Sequence, residues 1–194
     1  MKRDHLHKIT VVALFAAVST VLMFLSISVP FVPSYLKLDF SDLPALLTAF
    51  SLGPVWGVAV SLIKNAINVF FSTTGGIGEL SNFLLSAFFV FTAGMVYKYN
   101  KTKTGALIGA CTGLLVATGV SYFTNTYLVY PVYTNLFGLD AIVAMSSSIH
   151  PSIDSVEKII LIFNMPFTFF KGAVNTVLTF LLYKKLSPIM KIRK

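Results

Sequence analysis

The chain has 194 residues, of which 56% are hydrophobic and 11% charged, against roughly 25% charged in an average soluble domain. With 18 Phe and a mean hydropathy of +0.81, it has too little polar composition to cover a soluble globule and too much apolar composition to be disordered. The net charge of +8 would suit nucleic acid, but its placement argues against that: Lys2, Arg3 and Lys8, then Lys98, Lys101 and Lys103, then Lys184, Lys185, Lys191, Arg193 and Lys194 flank apolar runs, as cytoplasmic loops of membrane proteins do. The expected class is a polytopic helical membrane protein, one domain over residues 1–194, embedded in a lipid bilayer and without a nucleic-acid partner.

The first span runs from about Ile9 to Val29 and ends at Pro30 and Pro33. It is longer than the roughly 7–15-residue core of a signal peptide and lacks a clear cleavage site, so it reads as a retained helix. A polar linker, PFVPSYLKLDFSD, follows. Asp42 is the expected N-cap of a short segment, Leu43–Leu52, stopped by Gly53-Pro54. The third span is about Pro54–Phe71, the fourth Leu80–Tyr97 and the fifth Gly105–Tyr122; a longer stretch, Thr124–Glu157, holding Pro131, Pro151 and the polar MSSSIHPSIDS, precedes the sixth at Ile159–Tyr183. The second segment rises only about 15 Å against a hydrocarbon core of about 30 Å, so it either merges with its flanks or is a half-span buried among the others.

Charge placement tests this count. Six crossings put eleven basic residues and one acid, Asp4, on one side, leaving Lys37 and Lys158 on the other with Asp39, Asp42, Glu79, Asp140, Asp154 and Glu157. Five crossings would split the two basic termini. The basic bias therefore predicts an all-α fold of six transmembrane helices with both termini cytoplasmic, in the cell membrane.

No phosphate-binding GxxxxGK[ST] loop is present, His5, His7 and His150 lack metal-ligand spacing, and no Ser-His-Asp arrangement can be drawn across the membrane. An enzyme is not expected, nor a resident cofactor. Cys111 lies inside an apolar run and reads as a packing residue, and Gly105, Gly109 and Gly113 form a stripe suited to close helix packing.

The informative residues are polar and within the spans. Lys171 lies about 12 residues, or roughly 18 Å, from either end of the sixth span, beyond easy snorkelling. A mid-helix lysine costs about 2.5 to 3.5 kcal/mol on insertion scales, so it calls for a cavity, a ligand or an interior partner. Asn164, Thr168, Lys171 and Asn175 share its face, edged by Phe163, Phe167 and Phe170. Two readings stand: a site for a flat heteroaromatic ligand with amide-like edges, or hydrogen bonding that glues the bundle. Lys64 and Asn68 form a second polar group on the third span, with an interior pair as the plain explanation; Asn82 and Asn125 fall toward the outer side. Asp39 and Asp42 read as solvated or capping groups.

Together these landmarks resemble the substrate-binding (S) components of energy-coupling factor (ECF) vitamin transporters, most of all the riboflavin-specific members. The resemblance covers nearly the whole chain and rests on YLKLDFSDLPALL at 35–47, GPVWGVAVSLIKNAIN at 53–68, GELSNFL at 78–84, NTYLVYPVY at 125–133 and NMPFTFFKGAV at 164–174. Thr168 stands where riboflavin members are expected to carry Asn. The resemblance implies a six-helix S component that captures riboflavin outside, as transported ligand rather than cofactor. It implies as partners one transmembrane coupling subunit and two ATPase subunits. Carried over residue by residue, Asn125 and Lys171 would hydrogen-bond the ring edges of the vitamin with Thr168 adjacent, and Leu38, Asp39 and Phe40 in the linker after the first helix would close over it as a gate; Asn164 on the same polar stripe and Asn82 on the outer side complete the candidate binding residues. Ala13 and Ala17 would dock the coupling subunit, with Ala16 beside them. Pantothenate, an anion that would welcome Lys171, and thiamine, a cation that would want a pocket carboxylate, remain alternatives, as does a non-transporting scaffold.

Overall fold

The structure is a computed structural model that describes residues 2–190, with side chains described for 4–182. Lys2, Arg3, Lys184, Lys185, Lys191, Arg193 and Lys194, on which the charge bias of the termini rests, therefore have side chains outside the described residues. Helix α1 (Lys2–Phe24) leads into a linker whose ends pair as two short antiparallel strands, β1 (Ile27–Ser28) and β2 (Lys37–Leu38). Then come α2 (Asp42–Leu52), α3 (Pro54–Val69), α4 (Ile77–Tyr99), α5 (Lys103–Thr124), α6 (Tyr130–Phe137), α7 (Leu139–Ser147), α8 (Val156–Ile159) and α9 (Met165–Met190). Four of the described helical stretches are long and apolar enough to cross a membrane: Asp4–Phe24, Ile77–Tyr99, Lys103–Phe137 and Val156–Leu182.

The short second segment is a helix of its own. Residues Asp42 to Phe50 are all buried, so α2 is a half-length helix inside the bundle rather than part of a longer span. It stops because Gly53 takes φ +112°, a backbone that side chains rarely adopt, and Pro54 then opens α3 at its first turn, where a missing N–H costs nothing.

The fifth span is longer than its hydropathy predicts. It does not end at Tyr122 but continues through one wide π-helical turn, Asn125–Val129, into α6, forming a single stretch from Lys103 to Phe137. A second π-helical turn, Ile160–Asn164, joins α8 to α9. Each wide turn lies just before a proline, Pro131 and Pro166. A proline within an α-helix lacks the N–H for the carbonyl four residues back and collides with it. Those carbonyls belong to Tyr127 and Ile162, both inside the wide turns, so the extra residue per turn relieves the clash and the helix goes on.

The expected glycine stripe packs within the chain. A Cβ on Gly109 would lie 2.6 Å from the Ala93 carbonyl oxygen, and one on Gly113 would fall on the Phe89 carbonyl, so α4 and α5 touch backbone to backbone. Cys111 corrects the sequence reading: it is exposed on the outer face of α5 rather than packed in the core.

Gly113→Val would drive a branched side chain into the α4 backbone, a loss of about 1–3 kcal/mol for overpacking. Thermal unfolding of detergent-purified protein should show a clearly lower midpoint. An unchanged midpoint would mean that the two helices do not meet in this register.

Candidate functional site

A cavity of about 880 Å³ opens among the linker, α4, α5, α6, α7 and α9, within the roughly 300–1,000 Å³ typical of small-molecule sites. Its lining is largely apolar, with Asn82, Asn125, Asn164, Thr168 and Lys171 among its polar groups. The structure brings these five residues, separated in sequence, around one space.

The floor is built from charge. Lys171 Nζ donates to Asp39 Oδ2 at 2.7 Å, and Lys64 Nζ donates to Asp42 Oδ1 at 2.5 Å. Ser41 bridges the two pairs: its hydroxyl accepts from Lys64 at 2.6 Å and donates to Asp39 Oδ1 at 2.5 Å. Ser86 donates to Asp42 at 2.6 Å, Asn175 donates to the Asp39 carbonyl at 3.1 Å, and Ser19 donates to the Ser41 carbonyl. Asp39 and Asp42 are 3% and 6% exposed, and Lys64 is 0% exposed. The solvated or capping reading of these aspartates is therefore wrong. Asp42 opens α2 without serving as its N-cap, the cap position being Ser41, and its carboxylate is spent on Lys64 and Ser86. The interior pair expected for Lys64 is the one observed, and Lys171, which needed a partner, has one on a segment 132 residues away.

The wall is built from amides. Tyr130 donates its hydroxyl to Asn164 Oδ1 at 2.9 Å, Asn164 Nδ2 donates to Asn125 Oδ1 at 2.8 Å, and Asn125 Nδ2 donates to the Ser121 carbonyl at 2.7 Å and hydroxyl at 3.1 Å. Asn125 begins one wide turn and Asn164 ends the other, so two widened helices face each other at one level of the cavity. Thr168 shares a 3.1 Å hydrogen bond with Ser121. Tyr35, in the linker, meets Tyr130 hydroxyl to hydroxyl at 3.1 Å. Burial raises the pKa of Tyr35 above its ordinary value, so the group stays protonated and serves as a donor.

The remaining sequence candidates divide. Asn82 lies on the cavity wall beside Met23. Leu38 is buried in β2 opposite Ile27, and Phe40 is half-buried; neither faces the cavity, whereas Leu36, Lys37 and Asp39 of the same segment do. Of the expected aromatic edging, Phe167 alone lines the cavity, while Phe163 packs in the core and Phe170 is exposed. Ala13 and Ala17 face outward on α1, but Ala16 is buried in the core. Tyr35, Tyr130 and Ser41 were missed, because a tyrosine or serine in a linker or an apolar run carries no distinguishing spacing.

A helical membrane-type bundle enclosing a largely apolar cavity with a few convergent polar groups is the architecture of a membrane-embedded binding protein. Residues 7–183 match the family described as the ECF transporter, substrate-specific component, and the chain belongs to that family. It is 36% identical over 95% of its length to "Riboflavin transporter RibU" of Staphylococcus aureus (strain TCH60), covering 92% of that relative. It is 29% identical over 93% of its length to "Riboflavin transporter FmnP" of Bacillus subtilis (strain 168), again covering 92% of it. A solved structure of the S component of a bacterial ECF transporter superposes with a TM-score of 0.75 at 32% identity, covering 99% of this chain and 100% of the other.

Removing one member of a buried ion pair leaves the other charge unpaired, which costs about 3–5 kcal/mol. Lys64→Met should therefore lower the thermal midpoint strongly, and Lys64→Met combined with Asp42→Asn should recover a good part of it. Equal midpoints for single and double variants would show that these charges are hydrated.

Proposed function

We propose that this chain binds riboflavin from outside the cell and delivers it inward together with an ATP-driven coupling module of one transmembrane subunit and two ATPases. The observation that carries the reading is the amide wall. The paired Asn125 and Asn164 face the cavity with hydrogen-bonding capacity to spare, which suits the imide edge of a flavin ring. The relatives named as riboflavin transporters support the same ligand. In this reading Thr168 and Asn82 complete the polar contacts, Lys171 stands beneath them, and the linker carrying Leu38, Asp39 and Phe40 closes the cavity.

Charge favours an uncharged ligand. The floor pairs each aspartate with a lysine, so neither a cation nor an anion meets a free counter-charge there. The carboxylate that thiamine would want does reach the cavity, in Asp39, Asp42 and Glu79; the two aspartates are already neutralised by lysines, and Glu79 accepts from Ser72 at 2.6 Å. Pantothenate would have to take Lys171 from Asp39 and leave that carboxylate buried alone.

The protein works in this reading as one integral membrane domain over residues 1–194, crossing the cell membrane six times with both termini in the cytoplasm. Aromatic contacts support that arrangement: His5 of α1 meets Trp56 of α3, and Phe50 of α2 meets Tyr97 of α4, gathering those ends on the side of the basic 98–103 loop. Ala13 and Ala17, open on the flank of α1, offer a smooth surface for the coupling subunit.

Titrating ligand-stripped protein with riboflavin should quench flavin fluorescence saturably, whereas thiamine and pantothenate should not compete. Asn125→Ala should weaken binding about ten- to a hundredfold, the usual range for leaving a buried polar group unpaired. Folded wild-type protein that ignores riboflavin would remove the vitamin assignment and leave the family intact.

A further inference from the structure

The amide wall has a direction, held at one end by the Ser121 carbonyl and at the other by the Tyr130 hydroxyl. An asparagine side chain offers two donor protons and two acceptor lone pairs, and which end faces a ligand depends on what holds the other end. The Tyr130 hydroxyl donates to Asn164 Oδ1, which turns the Asn164 amide nitrogen toward Asn125 Oδ1. Asn125 in turn spends both protons on Ser121 and faces the cavity as an acceptor alone. What remains for a ligand is one acceptor site on Asn125 and one donor with one acceptor site on Asn164. With both amides reversed the inventory would be different, since Asn125 would present donors instead.

We propose that Tyr130 is the positioning residue for ligand selectivity, and that the chain Tyr35–Tyr130–Asn164–Asn125 ties the linker over the cavity to the pair of amides that read the ligand's imide edge. The proposal rests on the riboflavin reading above. Tyr130 acts through Asn164, which lines the cavity while Tyr130 itself does not. It is 3% exposed and packs edge-on against Tyr133, with ring centroids 6.3 Å apart, so its hydroxyl is held in place by its ring. Tyr35 approaches from the linker at 3.1 Å. Because Tyr130 gives its proton to Asn164, Tyr35 donates to Tyr130, and the linker is thereby read into the wall.

The same chain accounts for the departure at Thr168. Its hydroxyl is engaged with Ser121 at 3.1 Å, so the second amide comes from Asn164, one helical turn earlier. Asn125 holds that amide through its nitrogen and Tyr130 through its oxygen, so without the Tyr130 hydroxyl the Asn164 side chain is held at one end only.

The test compares riboflavin with riboflavin methylated on the imide nitrogen, in fluorescence-quenching titrations of detergent-purified protein. Wild type should prefer the parent by about tenfold or more, since methylation removes the proton that the asparagine oxygens accept. Tyr130→Phe should weaken riboflavin by about tenfold and bring the preference down to about twofold. In an Asn164→Ala background, Tyr130→Phe should leave the preference unchanged, as a residue acting through Asn164 must. An unaltered preference in folded Tyr130→Phe, or a further drop in the Asn164→Ala background, overturns the relay while riboflavin binding stands. If Tyr130→Phe does not fold, Tyr35→Phe is the variant to measure. It should reduce the preference about two- to threefold through the lost outer donor, and no change there overturns the relay as well. Failure of wild type to bind riboflavin at all overturns the functional reading beneath it.

Discussion

Two lysines and two aspartates meet in the interior of this bundle, and the position of nearly everything around the cavity follows from how they are matched. Stripping an ion of water costs several kcal/mol even after the protein relaxes, so each buried charge is tolerable only with a partner and further hydrogen bonds. Lys64 and Lys171 come from α3 and α9; Asp39 and Asp42 come from the end of the linker and the start of α2. Ser41 joins the pairs. Three separate parts of the chain are thereby held at one level, and the linker that roofs the cavity is tied to its floor at Asp39. The matched pairs also leave that floor electrically neutral.

A second constraint acts above the floor. Pro131 and Pro166 would ordinarily end or kink a helix, yet both helices continue because a wide turn precedes each proline. Those turns place Asn125 and Asn164 opposite one another across the cavity wall, with their amides bonded at 2.8 Å. The same irregularity that accommodates proline therefore delivers the polar groups, as wide turns often do at functional sites. Tyr130, next to Pro131, then orients the amide pair.

Much of this was legible from residue order. Hydropathy located the long helices, because lipid demands runs of about 20 apolar residues. The shortness of α2 followed from counting residues against membrane thickness, and the polar stripe from Asn164 to Lys171 followed from helical spacing. What resisted was pairing at a distance. Nothing local to Asp39 announces Lys171, so a carboxylate in a polar linker looked solvated. The fifth span resisted in the same way: its sequence pattern ends it at Tyr122, and only the tertiary setting makes the following segment a wide turn that carries α5 on to Phe137. Helical spacing also overcounted, since Phe163, Phe167 and Phe170 all flank the stripe but Phe167 alone reaches the cavity.

The most direct test is a high-resolution structure of the protein with riboflavin bound. The polar edge of the ring should rest against Asn125 and Asn164, and Lys171 should keep its ion pair with Asp39 beneath it. A flavin seated elsewhere in the cavity, or one that takes Lys171 and leaves Asp39 turned out to solvent, would contradict a neutral, self-paired floor as the basis of the site.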